Sequence, residues 1–208
     1  MGISLLVLYV ISASLIIVSP GPDFIYVITR GVSLGKNAGI LSALGISIGL
    51  IIHTTLAAFG LSALLQTSGL AFQIVKYLGA GYLFYLGIRT LFYKKLLSIA
   101  PGKVKKSNKF SIFRQGVFTN VFNPKAIITF MAFIPQFINP AEGNASVQIF
   151  LLGGLLASIA MIWFGMVGYF AGFLGQWLSK KIIVQKFISW ISGIVLVGLG
   201  IRLAMTKR

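Results

Sequence analysis

Ser19-Pro20-Gly21-Pro22-Asp23 closes an uncharged run that starts at the first residue, and the fold turns on how it is read. Proline has no backbone N–H to donate and its ring clashes with the preceding helical turn. A helix arriving at Pro20 must therefore stop or kink. Asp23 then falls where a second helix begins, a position that favours a carboxylate as cap. If the run lies in lipid, the backbone freed at such a break is tolerated only under a cover of protein or beside a water-filled cavity. An unpaired acid near the bilayer centre costs roughly 2.5–3.5 kcal/mol on insertion scales. A broken helix bearing a carboxylate at the break is thus a candidate functional site.

Composition places the run in a membrane. Of 208 residues, 57% are apolar and only 10% charged. No charge occurs in 1–22, 37–75 or 143–179, each long enough for a span of about 20 residues. The formal charge of +16 does not indicate nucleic acid, because the basic residues cluster in short stretches between apolar runs, as cytoplasmic loops do. The absence of cysteine excludes disulfide exchange, thiol redox and thiolate metal sites. The first run lacks the basic start of a signal peptide, since no Lys or Arg precedes Arg30, and it is expected to be a retained span.

Six transmembrane helices are expected, forming an all-α integral membrane protein with a single domain over 1–208. The first covers 3–19, breaks, and resumes over 24–31, with Arg30-Gly31 as its expected C-terminus. The second covers 38–64, with Gly45, Gly49, His53 and Ala57 on one face suited to close packing. The third covers 70–92. A basic linker follows over about 94–114, carrying Lys94, Lys95, Lys103, Lys105, Lys106, Lys109 and Arg114. The fourth helix covers 115–137 and is interrupted at Asn123-Pro124-Lys125. The fifth covers 147–178, with a seam of Gly165, Gly168, Gly172 and Gly175, and the sixth covers 187–204.

Three helices precede the linker (repeat 1, about 1–93) and three follow it (repeat 2, about 115–208). Three is odd, so the halves lie in opposite orientations, the inverted plan of many secondary transporters. Pro22-Asp23 and Pro124-Lys125 stand about half the chain apart, each interrupting the first helix of its half. The charges at the two breaks are opposite. Asn123 is a suitable N-cap and Pro124 a suitable first residue, but a lysine in the first turn opposes the helix dipole. Three things can offset it: a salt bridge to Asp23, snorkelling to the interface, or a bound anion. A carboxylate and an ammonium at paired breaks also complement a zwitterion, with a substrate ammonium at Asp23 and its carboxylate at Lys125. His53, the only histidine, is either a proton relay or a packing residue. Nothing in the chain resembles an enzyme's catalytic set, a metal site or a cofactor-binding loop.

These residues carry a resemblance. Ser19-Pro20-Gly21-Pro22-Asp23, Arg30-Gly31, the glycine face around His53, and Lys76-Tyr77-Leu78-Gly79-Ala80-Gly81-Tyr82-Leu83 with Gly87 resemble the lysine exporter (LysE/RhtB-type) translocator family. So do Phe113-Arg114-Gln115-Gly116, Asn120, Asn123-Pro124-Lys125 and Pro135-Gln136-Phe137. The resemblance spans nearly the whole chain in order. It implies six spans in a bacterial inner membrane and amino-acid efflux driven by the proton-motive force. It marks Gly21, Pro22, Asp23, Asn120, Asn123, Pro124 and Lys125 as candidate substrate-binding residues, and Asp23 with His53 as candidates for proton coupling. The expected partners are an amino acid, protons and the lipid bilayer, with a homodimer left open and no nucleic acid. Two rival functions are weighed. An inorganic-cation exporter would find Lys125 repulsive, and a non-transporting scaffold or accessory subunit leaves the cost of Asp23 and Lys125 unexplained.

Charge sets the expected topology. With the amino terminus outside, the inner loops hold Arg30, Lys36, Arg89, the seven linker bases, Lys180, Lys181 and Lys186, against only Lys76, Arg202, Lys207 and Arg208 outside. Both termini are then periplasmic. Reporter fusions at the carboxyl terminus should give periplasmic activity and fusions in the 94–109 stretch cytoplasmic activity. A cytoplasmic carboxyl terminus would overturn this orientation.

Overall fold

The computed structural model describes residues 2–67, 69–92, 108–139 and 142–171, with scattered positions from 173 to 205. Part of the sixth expected span, the end of the fifth, the linker bases of 94–106 and Lys180, Lys181 and Lys186 lie outside the described residues. All regular structure described is helical. In chain order the elements are α1 (Ile3–Val18), α2 (Pro22–Leu34), α3 (Lys36–Thr67), α4 (Gly69–Phe92), α5 (Lys109–Val121), α6 (Pro124–Ile128) and α7 (Ala145–Tyr169). Beyond α6 the chain continues through a π-helical turn (Thr129–Phe133) and a 3-10 turn (Ile134–Phe137).

Two helices, α3 over Lys36–Gly60 and α7, are each long and apolar enough to cross a membrane. Two bent pairs qualify when each is taken as one span: α1 with α2, bent by 56°, and α5 with Pro124–Phe137, bent by 50°. The described residues thus contain two to four candidate spans. Both expected breaks are present, and both are sharp.

Their local chemistry differs in part from the sequence expectation. Gly21 is the N-cap of α2 and Pro22 its first residue, so Asp23 lies inside the first turn and makes no capping hydrogen bond. Proline's preset φ and missing N–H suit the first helical position, which moves the start two residues earlier than a capping aspartate would. Nor does α2 end at Arg30-Gly31. It runs on to Leu34 and stops at Gly35, whose φ of 88° only glycine adopts readily. Lys36 therefore opens α3 instead of occupying a loop. Before the second break, α5 starts earlier than expected because Asn108 accepts a hydrogen bond from the Ser111 N–H at 2.7 Å. After the break, the π turn lies just before Pro135. That proline cannot donate to the carbonyl one turn back, so the ladder changes register there.

The spine of the fold is α3, which packs on α7, α5 and α2. Glycines set its approach. Gly39 faces Gly168 of α7 so closely that a methyl group on it would stand 2.5 Å from the Gly168 carbonyl oxygen. Gly45 meets Gly116 of α5 in the same way, and Gly49 lies against the Asn120 side chain. The expected small-residue face of this helix is thus a packing face, and it sets α5 close enough for His53 to reach Asn120. Tyr9 of α1 is fully buried, stacks on Phe133, and donates its hydroxyl to the Leu152 carbonyl of α7 at 2.6 Å.

The glycine seam gives a direct test. Gly39→Ala forces backbone against backbone and should destabilise by about 1–3 kcal/mol. Gly154→Ala, where no atom lies within 4 Å of an added methyl, should be neutral or slightly stabilising. Thermal unfolding midpoints in detergent would compare the two, and equal midpoints would rule out the close crossing.

Candidate functional site

The two helix breaks meet. Ser19, Gly21 and Asp23 from the first and Asn123 and Lys125 from the second line one cavity of about 20 Å³. That volume admits about one water molecule. The rest of its wall is largely apolar, including Ile16, Ile17, Leu50, Leu156 and Phe164.

Lys125 and Asp23 do not bond to one another. Lys125 Nζ donates to the Ser19 carbonyl oxygen at 2.7 Å, and Asp23 Oδ2 accepts from Asn120 Nδ2 at 2.9 Å. Ser19 is the C-cap of α1. A helix C-terminus carries unpaired carbonyls and the negative end of the dipole. The lysine that opposes the dipole at the start of α6 is therefore compensated by the end of α1, an answer outside the three weighed from sequence. The relation is reciprocal: the charge that starts α2 is held by the end of α5, and the charge that starts α6 is held by the end of α1.

The remaining candidates take different places. Asn123 is 2% exposed, and its Oδ1 accepts from the Lys125 backbone N–H at 2.9 Å, so it is the expected N-cap. Asn120 is fully buried and stands behind Asp23, off the cavity wall. His53, also buried, donates from Nε2 to the Asn120 carbonyl at 3.3 Å and stacks on Phe130. His53 and Asp23 thus meet on one residue, the first at its backbone carbonyl and the second at its side-chain amide. Pro22 and Pro124 are exposed and form no part of the wall; each fixes the start of its half-helix. Among the described residues no three His, Cys, Asp or Glu side chains gather as a metal site.

Two contributors were not foreseen. One is the Ser19 carbonyl, which a helix ending at a proline pair leaves free; that signal was present in the sequence. The other is a polar tie on the far side of α2, where Arg30 donates to Gln115 and Tyr26 to the Ile112 carbonyl at 2.7 Å. Arg30 therefore links α2 to α5 instead of lying in a loop. Only the pairing of the two halves in space reveals it.

Comparison with known proteins adds the context. Residues 14–207 match the family described as LysE type translocators. A Bacillus subtilis (strain 168) protein named uncharacterized membrane protein YrhP is 33% identical over 209 residues, covering 97% of this chain and 99% of its own. Two proteins named leucine efflux protein, from Enterobacter sp. (strain 638) and Salmonella typhimurium (strain LT2), are each 32% identical over 94% of this chain, and over 93% and 92% of theirs. No solved structure matches the chain.

The Asn120–Asp23 contact can be measured without reference to function. Asp23→Ala, Asn120→Ala and the double variant form a cycle whose coupling should be about 1.5–3 kcal/mol, the range for a hydrogen bond to a charged group. Additive unfolding energies would mean that the two side chains do not interact.

Proposed function

The chain belongs to the LysE type translocator family, and from that premise we propose that it exports amino acids across the bacterial cell (inner) membrane in exchange for protons. The observation that carries this reading is the shared cavity, which sets a carboxylate and an ammonium from two helix breaks among apolar walls. A substrate ammonium engages Asp23 and its carboxylate engages Lys125, while Ile16, Leu50, Leu156 and Phe164 face its side chain. These walls suit a neutral aliphatic amino acid, and the names of the efflux relatives make L-leucine the first solute to test. Lys125 in the same wall disfavours an inorganic cation.

In this reading the protein has six spans in two inverted repeats, with both termini periplasmic. The reciprocal bonding of the two breaks supports that plan, because a pseudo-twofold axis in the membrane plane would exchange them. Proton and substrate ammonium compete for the Asp23 carboxylate. His53 and Asn120 form the polar path that reaches Asp23 from α3.

Asp23→Asn tests the coupling. It keeps the shape and cannot ionise, and since Asp23 caps nothing, loss of a cap cannot explain its effect. In proteoliposomes preloaded with labelled L-leucine, the wild type should show efflux driven by a proton gradient. The variant should lose at least tenfold of it while remaining folded, and keep slow exchange of labelled for unlabelled leucine. Gradient-driven efflux at the wild-type rate by the Asn variant would remove Asp23 from the coupling step.

A further inference from the structure

The two long faces of α5 differ. Ile112, Gly116 and Asn120, four residues apart, are buried and include the contacts with α3. Phe110, Arg114, Phe118 and Phe122, also four apart, form the opposite stripe. All four are exposed, the three phenylalanines by more than half, and the Phe118 and Phe122 rings stack. A guanidinium thus interrupts a row of outward-facing rings. Among the described residues, neither Arg114 nor Lys109 has a hydrogen bond or an ion pair through its side chain.

The chain cannot supply their counter-charge. It has 18 Lys and Arg against two acids. Asp23 is engaged by Asn120 and Glu142 by Asn139. Because Arg30 reaches Gln115 and Ser42 meets Gly116, α2 ends where α3 and α5 begin. Arg30, Lys36, Lys109 and Arg114 therefore gather at one end of the bundle. Glu142 precedes α7, whose last turns meet this end through Gly168, so the acid stands at the other. Arg30 is held by Gln115 and Tyr26, and Lys36 lies over the Tyr169 ring.

Depth fits an interface. The break divides the bent span into similar lengths, Lys109–Val121 and Pro124–Phe137. At 1.5 Å per residue Arg114 stands ~13 Å from Asn123, and half of the hydrocarbon core is about 15 Å. Helical side chains lean toward the N-terminus, which carries the guanidinium outward past Phe110 toward Lys109.

We propose that Lys109 and Arg114, with Phe110 and Phe118, bind the headgroup phosphate of an anionic glycerophospholipid. Arg114 offers its planar fork of donors to the phosphate oxygens. Lys109 adds a second charge, and the rings pack on the acyl chain. A soluble anion would gain nothing from the rings. A zwitterionic lipid would bring a cation toward two bases. The proposal needs only a chain embedded in a bilayer and does not rest on the export reading.

The probes are phosphatidylglycerol, phosphatidylcholine and glycerol 3-phosphate, which keeps the phosphate and lacks the acyl chains. Native mass spectrometry of the purified full chain in mild detergent reads the concentration at which half of the protein carries a lipid. In the wild type this value should be at least fivefold lower for phosphatidylglycerol than for phosphatidylcholine. A hundredfold excess of glycerol 3-phosphate should not displace the bound lipid. Arg114→Gln should raise the phosphatidylglycerol value at least fivefold and leave that for phosphatidylcholine level. Lys109→Gln and Phe118→Ala should each raise it several-fold. Lys36→Gln removes one charge from the same end and should change it less than twofold. An unfolding midpoint near wild type shows that a variant is folded, and Lys109→Gln carries the comparison with Lys36→Gln if Arg114→Gln is not. Equal weakening in Lys36→Gln and in the folded site variant overturns the site in favour of general charge attraction. Equal binding of the two lipids by the wild type overturns it outright. Displacement by glycerol 3-phosphate overturns the lipid and assigns the two bases to a soluble anion.

Discussion

The exchange of charges between the two helix breaks is the constraint on which the rest of the structure depends. Each break, taken alone, is unfavourable in an apolar medium. The first leaves free carbonyls at Ser19 and a carboxylate at Asp23; the second leaves an ammonium at the positive end of a helix. Brought together, each supplies what the other lacks: Lys125 donates to Ser19 and Asn120 donates to Asp23. Irregular backbone at membrane depth is tolerable where protein covers it, and here the cover of each break is the other break. The two halves of the chain are thus bound by a need that neither half can meet.

Bringing the breaks together is the work of α3. Polar groups act over hydrogen-bond distance only if the helices carrying them approach closely, and Gly45 and Gly49 remove the side chains that would hold α5 away. Gly49 leaves the place that the Asn120 side chain fills, and one turn on, His53 bonds the Asn120 carbonyl. Packing and electrostatics are therefore not separable here. A methyl at Gly49 would press directly on the residue that orients Asp23.

Much of this was legible in the sequence. Proline, with its fixed φ and missing N–H, marks a break wherever it falls inside an apolar run, so both bends were readable from Pro20, Pro22 and Pro124. The small-residue face of α3 was readable from its spacing of four. Asp23 and Lys125 stood out because charges are costly in such surroundings. What sequence could not supply were pairings across long separation. It placed Asp23 as a cap because capping is local, whereas its partner lies at position 120. It ended α2 at Gly31, because a glycine after an arginine looks like a helix stop; in the fold Gly31 instead packs on α7 near Gly168 and Ala171, and the stop falls at Gly35. It treated Arg30 as a loop charge because its acceptor, Gln115, belongs to the other half.

The arrangement also bears on how a solute would pass. A cavity of about 20 Å³ is far smaller than an amino acid, so in the export reading a solute enters only if the half-helices separate. The groups that hold the breaks together are the same groups that a zwitterion would engage. A carboxylate arriving at Lys125 competes with the Ser19 carbonyl, and an ammonium arriving at Asp23 competes with the Asn120 amide. Charged partners form stronger hydrogen bonds than neutral ones in such a medium, so in the export reading the solute's charges are favoured over the internal contacts. A neutral apolar molecule of the same size gains nothing that would offset their loss. Within the export reading, selectivity and opening then have one origin. Only a molecule bearing both charges at the right spacing can replace both straps at once, and releasing both straps is what frees the two halves to move.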